Sequence, residues 1–265
     1  MGSSRVGFVG AGRMGLPMVE RLAAAGHDLV VFARRAETKA ALARLGVRPT
    51  TELAEAAAGA DVLLLCVFSD EQLAGIADPL AAGLPDGAVL ASHVTGRASV
   101  LRSLADRFPA IHVVDAPVSG GPGEIAAGRL TVLLGGLPAA RARAAEAVGA
   151  YADPVIETGE LGTALAVKLV NNFLFAANTQ VLAEAVWLGE ELGVAPGEML
   201  SALNHMSGGS QVSRRAAGAD MASFATRIGP FMKKDVAVCL EQAAERGVDP
   251  GLLIEVVRRG RLELI

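Results

Sequence analysis

The sequence predicts an α/β protein: a doubly wound, mainly parallel sheet over residues 1–160, then an all-α domain over 161–265 led by one long helix between the domains. Two observations predict this. Short apolar runs alternate with helix-spaced segments as far as about residue 160, and strand signals stop after it. The strands are expected at RVGFVG (5–10), DLVVFA (28–33), DVLLLCV (61–67), GAVLAS (87–92), IHVVDA (111–116) and LTVLLGG (130–136). Near-continuous apolar strands such as VLLLCV suit a sheet covered on both faces. From Gly162 to Gly193 there is no proline and no internal glycine before Gly189, which predicts one helix of roughly 30 residues, about 45 Å long. Shorter helices are expected at 196–206, near 210–225, at 231–246 and from about Gly251.

Composition narrows the function. Mean hydropathy is +0.42, yet the most apolar long window, Leu169 to Leu188, is interrupted by Asn171, Asn172, Asn178, Gln180 and Glu184, so no membrane span is expected. The start, MGSSRVGFVGAG, lacks the pattern of a signal peptide, and a cytoplasmic location is expected. Cys66 and Cys239 read as reduced thiols in apolar surroundings. A net charge of −4 with no basic run argues against nucleic acid, and no ligand spacing points to a metal. Only four of the 24 basic residues are lysines (Lys39, Lys168, Lys233 and Lys234), so each lysine marks a place where a compact, titratable amine has been used instead of arginine.

The first strand runs into GAGRMG, Gly10 to Gly15, which matches the G-x-G-x-x-G turn of a Rossmann-type unit. Its glycines allow a tight turn and let a pyrophosphate rest on the next helix N-terminus. Strand two should end in an acid if a ribose 2′-hydroxyl is bound, but Ala33 stands there, followed by Arg34 and Arg35. Two guanidinium groups suit a 2′-phosphate, so NADP is expected over NAD, with NAD still usable.

Farther along, ALAVKLVNN places a lysine and two amides in an apolar helix. Lys168, Asn171 and Asn172 fall at i, i+3 and i+4, on one helix face, with the small Ala164 a turn before them. A polar patch at a domain boundary is a favoured place for a ligand. Partial burial is expected to draw such an ammonium down from about 10.4 toward working pH. SGGPG, Ser119 to Gly123, follows a strand end and could form a nest of N–H groups for an anion.

Four segments in order, FVGAGRMGLPM (8–18), DAPVSGGPGEIAAGRL (115–130), KLVNN (168–172) and MKKDVAV (232–238), make the chain resemble the β-hydroxyacid dehydrogenase family. That group includes 3-hydroxyisobutyrate dehydrogenase, tartronate semialdehyde reductase and glyoxylate or succinic semialdehyde reductases, and the resemblance runs from Arg5 to about Glu255. It implies hydride transfer between nicotinamide and a small carbonyl or β-hydroxy acid. It places Gly10, Ala11, Gly12, Arg13, Met14 and Gly15 around the pyrophosphate, and Arg34 and Arg35 by the adenosine ribose. Val67, Phe68, Thr95 and Lys234 become further cofactor contacts. Ser119, Gly120, Gly121, Asn171 and Asn172 would bind substrate, with Lys168 as general acid/base.

The chain departs from the family pattern at Ser92-His93-Val94 before Thr95, and at Arg21, Ala33, Glu124 and Ala164. These changes bear on the substrate, and Glu124 would disfavour an acidic one if it faces the site. His27, His112 and His205 read as structural, with His93 the histidine to watch, and Trp187 and Met206 as packing residues. Two rivals are an imine reductase-like enzyme on the same scaffold and a non-catalytic NADP-binding module. The first group usually has Asp or Tyr in place of the lysine, and loss of the lysine would have signalled the second, so Lys168 argues against both. The apolar long helix predicts a homodimer.

Overall fold

The structure is a computed structural model and describes residues 4–265. It divides into two compact units, one ending at Lys168 and the other running from Leu169 to Ile265.

In the first unit the strands are β1 (Arg5–Val9), β2 (Asp28–Phe32), β3 (Arg48–Thr50), β4 (Val62–Leu65), β5 (Val89–Ser92), β6 (His112–Asp115), β7 (Val118–Ser119), β8 (Leu130–Gly135) and β9 (Ala152–Gly159). They form one sheet in the order β3-β2-β1-β4-β5-β6-β8-β7, with β9 also paired to β8. From β3 to β6 every pairing is parallel, β8 runs antiparallel to β6 and β7, and β9 is parallel to β8. Helices α1 (Gly15–Ala24), α2 (Ala36–Arg44), α3 (Leu53–Ala57), α4 (Asp70–Gly83), α5 (Ala98–Arg107), α6 (Pro122–Ala126) and α7 (Pro138–Val148) connect them.

Strand alternation sorts the core into two faces. Phe8, Leu64 and Val114 pack with Met18 and Leu22 of α1 and with the alanines of α7. Leu63, Leu65 and Leu90 point the other way, against Leu73 and Leu80 of α4 and Leu101 and Leu104 of α5. All four residues of β4 are buried, as its unbroken apolar run requires.

Six of these strands match the expected ones, and β3, β7 and β9 are additions. Each lacks the usual signal: β3 is the tripeptide RPT, β7 has two residues, and β9 contains Pro154 and is largely solvent-facing.

The long helix α8 spans Thr163–Glu191, 29 residues, as the glycine-free run predicts. The second unit adds α9 (Pro196–Leu203), α10 (Gln211–Ala216), α11 (Met221–Glu245) and α12 (Leu252–Arg259). The expected break before residue 231 does not occur, because α11 continues through Pro230. The proline forfeits one helical hydrogen bond. Buried Ala225 before it and Met232 and Val236 after it share one apolar core with Phe173 and Ala176 of α8, and this burial keeps the helix continuous. Gln180 is buried on α8. Its amide donates to the carbonyls of Val257 (3.1 Å) and Leu262 (2.6 Å) and accepts from Leu262 N–H (3.0 Å), tying down the segment after α12. Among the described residues no helix is long and apolar enough to cross a membrane. Met206, expected to pack, is 65% exposed, and Trp187 lies partly exposed beneath the Arg261 guanidinium, 3.6 Å from its ring centre.

Candidate active site

Strand order reverses between β1 and β4, and a crevice opens at their carboxyl ends, where ligands bind in sheets of this kind. A cavity of about 650 Å³ sits there, lined by the glycine turn on one side and by Arg34, Arg35, Val67 and Phe68 on others. The turn is shaped for close backbone approach. Gly10 has φ +106°, and a Cβ on it would run into the Cys66 carbonyl, while one on Gly15 would strike the Gly10 carbonyl. A Cβ on Gly12 would meet nothing, so that stretch of backbone faces open space. Gly12 N–H donates to Gly10 C=O at 2.7 Å, and Leu16 N–H to Gly12 C=O at 2.9 Å, closing the turn onto α1. A pyrophosphate fits such a turn, with the first N–H groups of α1 as donors.

Beyond β2, Ala33 is buried, so no side chain there accepts from a ribose hydroxyl. Arg34 and Arg35 are exposed at the cavity edge, and Glu37 pairs with Arg35 at 3.4 Å. Cys66 also lines the cavity. Burial pushes its thiol up to about 12, which makes it an apolar wall and not a nucleophile. Among the described residues both cysteines are free.

The ends of β5 and β6 carry the next group. Thr95 is half-buried in the loop between β5 and α5, where Asp70 accepts from Arg97 N–H at 2.9 Å. His93, two residues before Thr95, is buried. Its Nδ1 lies 2.5 Å from the Ala116 carbonyl and its Nε2 2.8 Å from the Tyr151 hydroxyl. Loss of solvation lowers its pKa to about 4 against a smaller upward pull from the Ala116 bond. A neutral ring donating to Ala116 and accepting from Tyr151 satisfies all three groups. His93 is thereby a structural link between the β5 and β6 loops.

Ser119, Gly120 and Gly121 follow Asp115 on the same stretch and are half-buried. The Gly121 N–H donates to the Glu124 carboxylate at 2.9 Å, so Glu124 folds back on the loop as a cap for α6 instead of standing apart from it. Arg21, another departure, donates to the Ala150 carbonyl at 2.9 Å.

Lys168 is half-buried on α8, with Ala164 fully buried one turn earlier. The two amides beyond it separate: Asn172 is buried and Asn171 exposed. Asn171 donates to the Asn172 carbonyl oxygen at 3.0 Å, and Asn172 donates in turn to the buried Asp235 carboxylate at 2.5 Å. The Lys234 ammonium lies 3.2 Å from the other Asp235 oxygen, without an aligned hydrogen bond. Asp235 thus fixes which way the Asn172 amide points, a role the sequence reading did not assign although MKKDVAV contains it. Tyr151 was missed as well, having no motif around it.

A glycine turn opening onto a switch-point cavity, on a doubly wound sheet, defines a dinucleotide-binding protein. Comparison with known proteins narrows the class. Residues 5–162 match the family profile described as the NAD binding domain of 6-phosphogluconate dehydrogenase, and residues 162–259 match NAD-binding of NADP-dependent 3-hydroxyisobutyrate dehydrogenase. The 2-(hydroxymethyl)glutarate dehydrogenase of Eubacterium barkeri is 30% identical over 78% of this chain and 71% of its own. Human mitochondrial 3-hydroxyisobutyrate dehydrogenase is 32% identical over 77% of this chain and 62% of its own. A structure of Mycobacterium tuberculosis 3-hydroxyisobutyrate dehydrogenase with L-serine shares the fold with a TM-score of 0.84 at 24% identity, covering 97% of this chain and 92% of that one. The chain belongs to the β-hydroxyacid dehydrogenase family. It is an NAD(P)-dependent dehydrogenase of the kind that acts on the hydroxyl groups of hydroxyacids.

Proposed function

We propose that this enzyme prefers NADP(H) and interconverts a small β-hydroxy acid with its semialdehyde-type carbonyl partner, with Lys168 as general acid/base. The observation that carries the reading is the placement of Lys168. It is one of four lysines in the chain, half-buried on α8, one turn from an asparagine whose amide is fixed by Asp235. When bound, the nicotinamide supplies or accepts the hydride. In the reducing direction the Lys168 ammonium donates a proton to the carbonyl oxygen as negative charge grows on it, and in the oxidising direction the free amine takes it back. Asn171, Asn172, Ser119, Gly120 and Gly121 hold the substrate. Gly10, Ala11, Gly12, Arg13, Met14 and Gly15 would hold the cofactor's pyrophosphate, Arg34 and Arg35 would receive a 2′-phosphate, and Val67, Phe68, Thr95 and Lys234 would supply further contacts.

Support for the NADP preference is the pair Arg34–Arg35 where an acid would hold the ribose hydroxyl. Support for a homodimer is the apolar exposure along α8, where Val170, Leu174, Val181 and Leu188 are each about half exposed. The free thiols accord with a cytoplasmic setting.

The reading is tested by following NADPH oxidation over a panel of C2–C5 semialdehydes and keto acids, repeated with NADH and with a cyclic imine. Lys168→Ala is expected to lower kcat on the best substrate on the order of 10³-fold while leaving the NADPH Kd unchanged. Undiminished turnover in that variant, or turnover of the imine alone, would sink the proposal.

A further inference from the structure

The first N–H groups of a helix have no partner within it. At the start of α8 two of them are met by a carboxylate from the end of β6. Asp115 Oδ1 accepts from Gly162 N–H at 2.8 Å and Oδ2 from Leu165 N–H at 2.7 Å, across separations of 47 and 50 residues. Asp115 is fully buried. Room for it depends on Gly135 of the neighbouring β8, where a Cβ would run into Oδ1. The turn it grips is otherwise unusual for a helix start: Gly162 has φ +95°, and the Arg102 guanidinium reaches the Leu161 carbonyl at 3.3 Å.

Two residues in a row then face two functional segments. Asp115 holds the turn that leads to Lys168, three residues beyond Leu165. Ala116 accepts from the ring of His93, two residues before Thr95. Ser119 follows on the same strand end. One short piece of backbone therefore sets the relative places of Lys168, Thr95 and Ser119, all within the first unit. A single serine or asparagine cap at Gly162 would satisfy the helix locally but would not couple it to the sheet.

We propose that Asp115 is a positioning residue for Lys168, gripping the first turn of α8 with both carboxylate oxygens so that the amine keeps a fixed place relative to the loops bearing Thr95 and Ser119. This rests on the reading of Lys168 as general acid/base. Its consequence is kinetic. A misplacement of about 1 Å costs on the order of 100-fold in rate, whereas cofactor binding on the remote glycine turn is untouched.

The test compares Asp115→Asn, Lys168→Ala and Ser210→Ala in the full chain. Ser210→Ala removes an ordinary helix cap, the one that accepts from Ser213 N–H. Asp115→Asn keeps the shape but turns one acceptor into a donor facing an N–H. It is expected to lower kcat about 10- to 100-fold, with KM for the carbonyl substrate and Kd for NADPH changed by less than about twofold. Ser210→Ala is expected to lower Tm with kcat preserved. If Asp115→Asn does not fold, Asp115→Ser, which retains one acceptor, replaces it with the same expected direction. A folded Asp115 variant with parental kcat, beside an inactive Lys168→Ala, overturns the positioning role alone. A fully active Lys168→Ala overturns both readings.

Discussion

The glycine turn and the polar cluster around Asn172 solve the same problem, fixing a polar surface inside an apolar protein, by opposite means. The turn uses backbone. Its shape comes from positions where no side chain fits, and its donors are N–H groups that every residue carries. The cluster uses side chains: Asn171, Asn172, Asp235 and Lys234 each depend on the next. Backbone sites tolerate change in what decorates them but not in what builds them, whereas a side-chain cluster fails wherever one member is lost.

The contrast can be broken most severely at Gly10. Gly10→Ala forces a methyl toward the Cys66 carbonyl at φ +106°. It is expected to weaken NADPH binding on the order of 100-fold, measured by quenching of protein fluorescence or by calorimetry. A Kd within a fewfold of the parent would mean that the turn yields more easily than its geometry implies.

Next in size is Asp235→Ala. It strips the Asn172 amide of its acceptor in a buried place and is expected to cost about 2 kcal/mol in denaturant unfolding, with NADPH still bound on the glycine turn. Loss below about 0.5 kcal/mol would show the cluster to be loosely coupled.

A smaller effect sharpens the comparison by adding charge instead of removing a partner. His93 is held neutral, with its pKa lowered to about 4 from 6.5 by burial. Between those values the unfolded chain binds the extra proton and the folded one does not. Stability from this group is therefore full above 6.5 and drains away as pH falls toward 4. Thermal unfolding at about pH 5.5 should show a deficit of about 1 kcal/mol relative to neutral pH, absent in His93→Asn. An equal deficit in that variant would assign the loss to another group.

Much of the fold is written plainly in the sequence because alternation of apolar runs and helical spacing is a backbone-scale signal. The strands β1, β2, β4, β5, β6 and β8 and the full length of α8 follow from it. The strands β3 and β9 do not, since an edge strand needs neither an apolar run nor freedom from proline. Pro230 misled in the opposite direction, because burial on both sides of it outweighed one lost hydrogen bond.

The site divides in the same way. The glycine turn was legible from spacing, whereas the pairings that anchor His93 and Asn172 to distant segments were not. Tyr151 meets His93 across 58 residues and Asp235 meets Asn172 across 63, and no local pattern encodes such pairs. Glu124 shows a further limit. Its residue type raised the issue of repulsion, but only geometry reveals that its carboxylate folds back to accept from the Gly121 N–H.

The grip of Asp115 also governs how this protein can be dissected. A fragment ended after residue 160, where composition changes, would keep every strand yet strand a buried carboxylate with neither donor. Carried eight residues farther, the same piece takes both N–H groups with it and finishes at the end of the first compact unit, so the opening turn of the long helix is part of what the sheet must own in order to stand alone.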